Sequence, residues 1–185
     1  MRITLQDIIK KFDEGSNKEI LNQSFSNEHI VKTPLISINI IKTKFTNCKF
    51  NNVNFNGSYL KNCTFNSCTF EQIAFHKCEF WDCDFENCEM KTCTFTKTDF
   101  YTNSFNHCHL QEIDSSWSYF SDCSLSTTEM RKIDFTGTIL DNLSFRKSIF
   151  SLLKVSKNFP VKFYRTGKLT EVDDAQQLEK LLNLA

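Results

Sequence analysis

The chain has 185 residues, with 22 Lys and Arg balancing 22 Asp and Glu, nine Cys, nineteen Phe, and only four Gly and two Pro. That length accommodates one domain or a little more, and zero net charge gives the chain as a whole no pull toward nucleic acid or an anionic membrane. Nothing approaches the ~18 consecutive apolar residues of a membrane span, and Met1 to Asp7 lack the long apolar segment of a secretory leader. The expected location is therefore the cytoplasm, where nine cysteines, an odd number, are expected to stay reduced.

The first element expected is a short helix within an N-terminal cap, residues 1–19. Leu5, Ile8, Ile9 and Phe12 fall at i, i+3, i+4 and i+7, one apolar stripe. Thr4 is placed to cap the helix with Asp7 three residues on, and Gly15 to stop it.

From about residue 20 to residue 155 a period of five takes over. Every fifth residue from Phe45 to Phe150 is large and apolar except Ser115, and Leu35, Ile40, Phe25 and Ile30 extend the frame backwards. Sixteen of the nineteen Phe lie on this lattice. Two residues before the large position stand all nine cysteines, Cys48, Cys63, Cys68, Cys78, Cys83, Cys88, Cys93, Cys108 and Cys123, and otherwise mostly small or β-branched residues. The residue between the pair is usually polar. Five matches neither the helical period nor the strand period, but it fits a short extended segment and a bend, repeated. The small and the large residue then point inward, the chain coils into a prism, and coils stack at about 4.8 Å. Burying each Phe contributes roughly 1.5–3 kcal/mol, enough for such columns to hold a rod together. Val53, Ile73, Ile113, Ile133 and Leu153 recur at twenty residues, interrupted by Cys93, which favours four sides.

The remaining segment, 156–185, is expected to cap the other end. Phe159 to Tyr164 breaks the frame and is expected to fold over the last coil. Asp173 or Asp174 then starts a helix to about Leu184, with Ala175, Leu178, Leu181, Leu182 and Ala185 on one face. That face serves equally as a plug or as the contact of a homodimer.

Units such as Cys63-Thr64-Phe65-Asn66-Ser67, Cys83-Asp84-Phe85-Glu86-Asn87, Thr98-Asp99-Phe100-Tyr101-Thr102 and Ile133-Asp134-Phe135-Thr136-Gly137 resemble the pentapeptide-repeat family, whose consensus is Ala-(Asp/Asn)-Leu-X-X. The resemblance covers about residues 25–155. It implies an all-β solenoid, a right-handed quadrilateral β-helix with twenty residues per coil. The sequence departs from the family by using Cys where Ala is usual and Phe where Leu often stands, a change of volume partition and not of architecture.

No catalytic, metal or cofactor site is expected. The cysteines are spaced in multiples of five and face the interior, unlike the Cys-x2-Cys of zinc sites. His107 and His109 flank an inward Cys108 and so point away from it. Phosphate loops and hydrolase signatures are absent from the sequence. The candidate partner surface is acidic and aromatic: Glu79, Asp82, Asp84, Glu86 and Glu89 lie between Lys77 and Lys91, with Glu71, Asp99 and Asp122 nearby. Trp81 and Tyr101 share an outward position one coil apart and are expected to stack. Basic residues gather later, at Arg131, Lys132, Arg146 and Lys147. At Ser115 either a small void or a bulge that re-aims Trp117 is expected. The family resemblance implies one concrete role, protection of DNA gyrase or topoisomerase IV from poisons by a rod imitating B-form DNA. Against it stands the neutral composition; the other reading is a protein–protein scaffold or effector with a different partner. Neither involves direct nucleic-acid or membrane contact.

Overall fold

The computed structural model describes residues 4–13 and 18–183. The chain winds through seven coils of twenty residues, and each residue of a strand pairs in parallel with the residue twenty positions on, as in Phe45↔Phe65 and Phe80↔Phe100. Three sides of the prism are sheets of three-residue strands. Face I runs from Glu19–Leu21 to Ile139–Asp141, face II from Ser24–Ser26 to Ser144–Arg146, and face III from His29–Val31 to Ile149–Ser151. Face IV is held by single bridges, Pro34↔Asn54↔Ala74↔Thr94↔Asp114 and Asp134↔Lys154. The four-sided coil expected from the twenty-residue column is the one observed.

The corner that resets the phase is one residue in the left-handed region. It recurs at every fifth residue from Asn22 to Leu152, with φ between 50° and 68°. Such a conformation is uncommon for residues other than Gly, with Asn the best tolerated. Asn22, Asn27, Asn47, Asn52, Asn62, Asn87 and Asn142 occupy it, alongside Gly57 and Gly137. At Gly137 the choice is dictated twice, because an added Cβ would also lie 2.7 Å from the Trp117 ring.

At corners followed by Cys, Ser, Thr or Asn, the small inward residue links neighbouring coils by hydrogen bonds. Its side chain donates to the carbonyl twenty-three residues earlier: Ser58 Oγ to Leu35 O at 3.1 Å, Cys63 Sγ to Ile40 O at 3.2 Å, Asn103 Nδ2 to Phe80 O at 3.0 Å, Thr128 Oγ1 to Phe105 O at 2.9 Å. The same side chain accepts from a backbone N–H one coil below: Ile38 N to Ser58 Oγ at 3.1 Å, Cys83 N to Asn103 Oδ1 at 2.9 Å, Cys108 N to Thr128 Oγ1 at 3.3 Å. Cysteine does likewise, the Cys48 N–H reaching the Cys68 sulfur. Cys, Ser, Thr and Asn are compact groups that both donate and accept; at the corner between faces III and IV, Val53, Ile73, Ile113, Ile133 and Leu153 fill the same position with aliphatic side chains. No buried side-chain nitrogen or oxygen among the described residues lacks a partner.

Inside, the Phe rings form columns. Phe45, Phe65, Phe85 and Phe105 stack at centroid distances of 4.9, 4.9 and 4.8 Å within 7° of parallel, and rings on adjoining faces meet edge to face, as Phe45 and Phe50 do at 5.7 Å and 73°. Both geometries add about 0.5–1.5 kcal/mol per pair beyond burial. Ser115 keeps the register, its N–H bonded to Asp134 O at 2.9 Å and the Trp117 N–H to Thr136 O at 2.9 Å. No bulge forms, and a cavity of about 30 Å³ lies along the axis there, lined by Ser115, Phe95 and Phe135 among others.

The ends are closed by helices. Helix α1, Leu5–Asp13, is capped as expected: Thr4 N donates to Asp7 Oδ2 at 3.0 Å and Asp7 N to Thr4 Oγ1 at 3.1 Å. Leu5 is buried against the first coil, while the stop expected at Gly15 lies outside the described residues. At the other end Val161–Arg165 does not fold over the last coil. It continues face I as a strand, Ile139↔Lys162 and Leu140↔Phe163, and turns back as Lys168–Val172. The turn around Ser156–Phe159 absorbs three extra residues, so Val161 and Phe163 return to inward positions. Helix α2, Ala175–Asn183, is started by Asp174, whose Oδ1 accepts from Gln177 N at 2.8 Å. Leu178 and Leu182 are buried against the rod, Ala175 and Leu181 only partly; Leu184 and Ala185 lie outside the described residues. The Asn183 side chain bonds both the N–H and the C=O of Phe150, at 2.9 and 3.0 Å, standing in for the strand of a further coil.

Replacing Thr128 by Val keeps shape but leaves the Cys108 N–H without its partner and removes a hydrogen bond to the Phe105 carbonyl. Urea denaturation is expected to show a loss of about 1–3 kcal/mol, whereas Thr128→Cys, which can still donate and accept, is expected to lose much less.

Candidate partner-binding surface

Along a face the outward positions are the residues on either side of the large inward one, so alternate side chains of successive coils form vertical columns. On face I one column reads Tyr59, Glu79, Asp99, Tyr119, Ile139 and the other Lys61, Trp81, Tyr101, Ser121, Asp141. Trp81 and Tyr101 stack at 4.0 Å and 21°, and Tyr101 meets Tyr119 edge to face at 5.6 Å and 73°. Carboxylates frame these rings. The Trp81 indole N–H donates to Glu79 Oε2 at 3.2 Å, and the Tyr119 hydroxyl to Asp141 Oδ2 at 3.0 Å. At the adjoining corner Thr102 donates to Asp82, and Asn142 Nδ2 donates to Asp122 Oδ1 at 2.5 Å. Round the corner on face II, Asp84 accepts from Ser104 at 2.6 Å, and Glu86 pairs with His107 at 3.1 Å.

Seven of the eight residues expected at this surface fall on faces I and II: Glu79, Trp81, Asp82, Asp84, Glu86, Asp99 and Tyr101. Glu89 does not join them. It stands between Thr69 and His109 in face III, one corner beyond face II and two beyond face I, on the face that also holds Glu71. Five residues per side separate neighbours in sequence faster than nearness along the chain suggests. Conversely, Tyr119 and Asp141 belong to the surface although they lie far from Glu79 in sequence; following the two outward columns at twenty-residue steps would have found both.

The electrostatics of this surface depart from the neutral composition. Residues 79–142 carry twelve Asp and Glu against four Lys and Arg, while 18–78 carry three against seven and 143–183 four against eight. The rod is thus negative in the middle and positive towards both ends. Within the negative stretch the charge is also one-sided. Faces I and II there hold seven carboxylates, Glu79, Asp82, Asp84, Glu86, Asp99, Asp122 and Asp141, and no Lys or Arg. Desolvation, reinforced by the neighbouring Glu79, raises the Asp99 carboxyl above the ordinary Asp value. Hydrogen bonds from Asn142 and then Ser121 hold Asp122 below it. The nine thiols are free and buried, and the described residues contain no cluster of His, Cys, Asp and Glu able to hold a metal ion. His107 and His109 are exposed and pair with Glu86 and Glu129. No helix among the described residues is long and apolar enough to cross a membrane.

A family model, the SV2A/B/C luminal domain, matches residues 16–90. No curated protein matches. Among solved structures, QnrB1, a plasmid-mediated fluoroquinolone resistance protein, is similar at 15% identity over 77% of this chain and 93% of its own, with a TM-score of 0.42. HetL, a pentapeptide repeat protein involved in heterocyst differentiation regulation in the cyanobacterium Nostoc sp. strain PCC 7120, is similar at 8% identity over 91% and 100%, with a TM-score of 0.45. A pentapeptide repeat protein of the Arabidopsis thaliana thylakoid lumen is similar at 15% identity over 50% and 60%, with a TM-score of 0.37. The unbroken five-residue register, the left-handed corner in every unit and the four-sided coil of twenty residues make this chain a four-sided β-solenoid of five-residue units.

Proposed function

We propose that the rod is a non-catalytic protein-binding module that offers the acidic edge of faces I and II to a cationic protein surface. In its most concrete form, the partner is the DNA-binding surface of a type II topoisomerase, DNA gyrase or topoisomerase IV, which the rod protects from poisons by imitating DNA. One observation carries this reading. The seven carboxylates between Glu79 and Asp141 occupy four coils, about 19 Å of axis at ~4.8 Å per coil, or roughly one charge per 2.7 Å. Duplex DNA carries one per ~1.7 Å. Net neutrality does not oppose this, because a partner responds to the local field and not to the sum over the chain. The named target comes from the family resemblance alone.

The aromatic stack supports a second reading, a scaffold for some other partner, since Trp and Tyr are the residues most often found as binding hot spots. Both readings use the same face, and they separate by experiment. In a gyrase supercoiling assay with a quinolone, the protein is expected to restore supercoiling, and Asp82→Asn/Asp84→Asn/Glu86→Gln to lose most of that protection. No protection at excess protein removes the topoisomerase reading. A pull-down comparing the wild type with Trp81→Ala/Tyr101→Ala is then decisive for the scaffold, and identical partner sets would refute it. A true hot-spot pair should weaken binding by at least ~30-fold, the equivalent of about 2 kcal/mol.

A carboxylate kept for binding should be unfavourable to the free fold. The raised Asp99 carboxyl means that, above its folded pKa, the folded state holds this charge less readily than the unfolded chain. That penalty is relieved as pH falls from the folded value towards the unfolded one, and is absent below both. Asp99→Asn is therefore expected to melt higher than wild type at neutral pH, to lose this advantage in acid, and to bind the partner more weakly. A lower melting temperature at neutral pH would contradict the sign.

A further inference from the structure

The interior carries chemistry that the binding face does not use. Cysteines that share a column are neighbours one coil apart, because the strands that follow them pair twenty residues on: Lys49↔Thr69 sets Cys48 beside Cys68, Glu89↔His109 sets Cys88 beside Cys108, and Asp84↔Thr64 sets Cys63 beside Cys83. The coil spacing of about 4.8 Å falls inside the ~4.4–6.8 Å range of Cα separations that a disulfide spans. The other three thiols have no such neighbour. Cys78 lies between Ser58 and Thr98, Cys93 between Ile73 and Ile113, and Cys123 between Asn103 and Leu143.

We propose that the rod is a site of peroxide-driven oxidation in which six of the nine cysteines close three intercoil disulfides, Cys48–Cys68, Cys88–Cys108 and Cys63–Cys83, leaving Cys78, Cys93 and Cys123 as thiols. A thiolate attacks the peroxide O–O bond, giving a sulfenic acid and hydroxide. The neighbouring thiol then attacks that sulfur, the S–S bond forms, and the sulfenic oxygen leaves as water. Overall, two thiols and one hydrogen peroxide become one disulfide and two waters, with the two electrons passing from sulfur to oxygen. Should Cys68–Cys88 form first, attack by Cys48 on Cys68 frees Cys88 for Cys108, so exchange along the column resolves to two bonds.

Either thiol of a pair can attack and the other resolve; in the reduced rod their S–H groups donate to backbone carbonyls, Cys63 to Ile40 at 3.2 Å, Cys83 to Leu60 at 3.5 Å and Cys88 to Phe65 at 3.3 Å. Burial pushes the three solitary thiols up, Cys78 and Cys93 to about 12 and Cys123 to about 11. All nine are at most 1% exposed, so a small oxidant must enter as coils breathe. Each bond would staple neighbouring coils, and Cys88–Cys108 lies within the coils that bear the acidic edge.

The test is to treat the full chain with hydrogen peroxide after removing reductant, block remaining thiols in denaturant with N-ethylmaleimide, and map cross-links by mass spectrometry. Three disulfides with the stated pairing and three alkylated thiols, at Cys78, Cys93 and Cys123, are expected, all reversed by dithiothreitol. Oxidation should raise the thermal midpoint by at least ~5 °C, since each bond closes a loop of about twenty residues. Asn103→Cys completes the second column and is expected to add a fourth disulfide, Cys123 pairing with the new thiol. Scrambled connectivity, cross-links through Cys78 or Cys93, or the six paired thiols still alkylatable after prolonged peroxide would overturn the proposal.

Discussion

Every coil of this rod depends on one local event, a backbone corner that recurs at each fifth residue and leaves polar groups pointing into an apolar interior. The left-handed residue turns the chain, and the compact side chain just after it bonds a carbonyl of the coil below and receives an N–H from it. Where Cys, Ser, Thr or Asn stands there, a buried backbone group left unpaired by its loss would cost about 1–3 kcal/mol. With the turn in place, the pair of inward residues keeps its phase through every unit between the corners at Asn22 and Leu152, and a one-residue slip would expose every Phe. The abundance of cysteine follows from this demand. A thiol is small, tolerates burial and can serve as donor and acceptor at once, so it serves beside Ser, Thr and Asn at this position.

A rod built this way separates structural from surface residues strictly. The inward pair of each unit is committed to the core and one further residue to the left-handed corner, while the other positions are free to vary. Twenty-residue spacing then decides which surface residues meet. Charges that are evenly matched over the whole chain become sorted along and around the axis, so that an edge of faces I and II carries carboxylates alone between Glu79 and Asp141. Asp99, directly above Glu79, is raised by burial first and by that like charge second, and both oppose its ionised form in the fold. A surface selected only for folding would have little reason to keep like charges in register. The three aromatic rings beside them add apolar contact area where the field is strongest, a combination suited to a protein partner more than to a small ligand.

The two ends solve the same problem by different means. An open coil presents strand edges and Phe rings together. At the N-terminal end Leu5 of α1 lies over the first coil, and at the C-terminal end the Asn183 amide and the Glu179 carboxylate occupy the hydrogen-bonding positions of an absent coil. With Leu178 and Leu182 turned into the rod, α2 acts as a plug in the single chain.

The five-residue lattice, its inward and outward positions, the twenty-residue coil, the cap at Thr4 and the stacking of Trp81 on Tyr101 were all legible in the amino-acid order, because a solenoid places residues at fixed sequence separations and contacts become a matter of arithmetic. What sequence alone left undecided lay wherever that arithmetic is broken or must be carried round a corner. The fate of Val161–Arg165 depended on how the turn at Ser156–Phe159 takes up three residues. The resolution at Ser115 depended on whether stacked coils above and below hold the backbone tightly enough to keep a void. Glu89 and Asp141 exchanged places in the candidate surface because nearness along the chain and nearness on a four-sided prism are different quantities, and only the folded coil decides which of the two a partner meets.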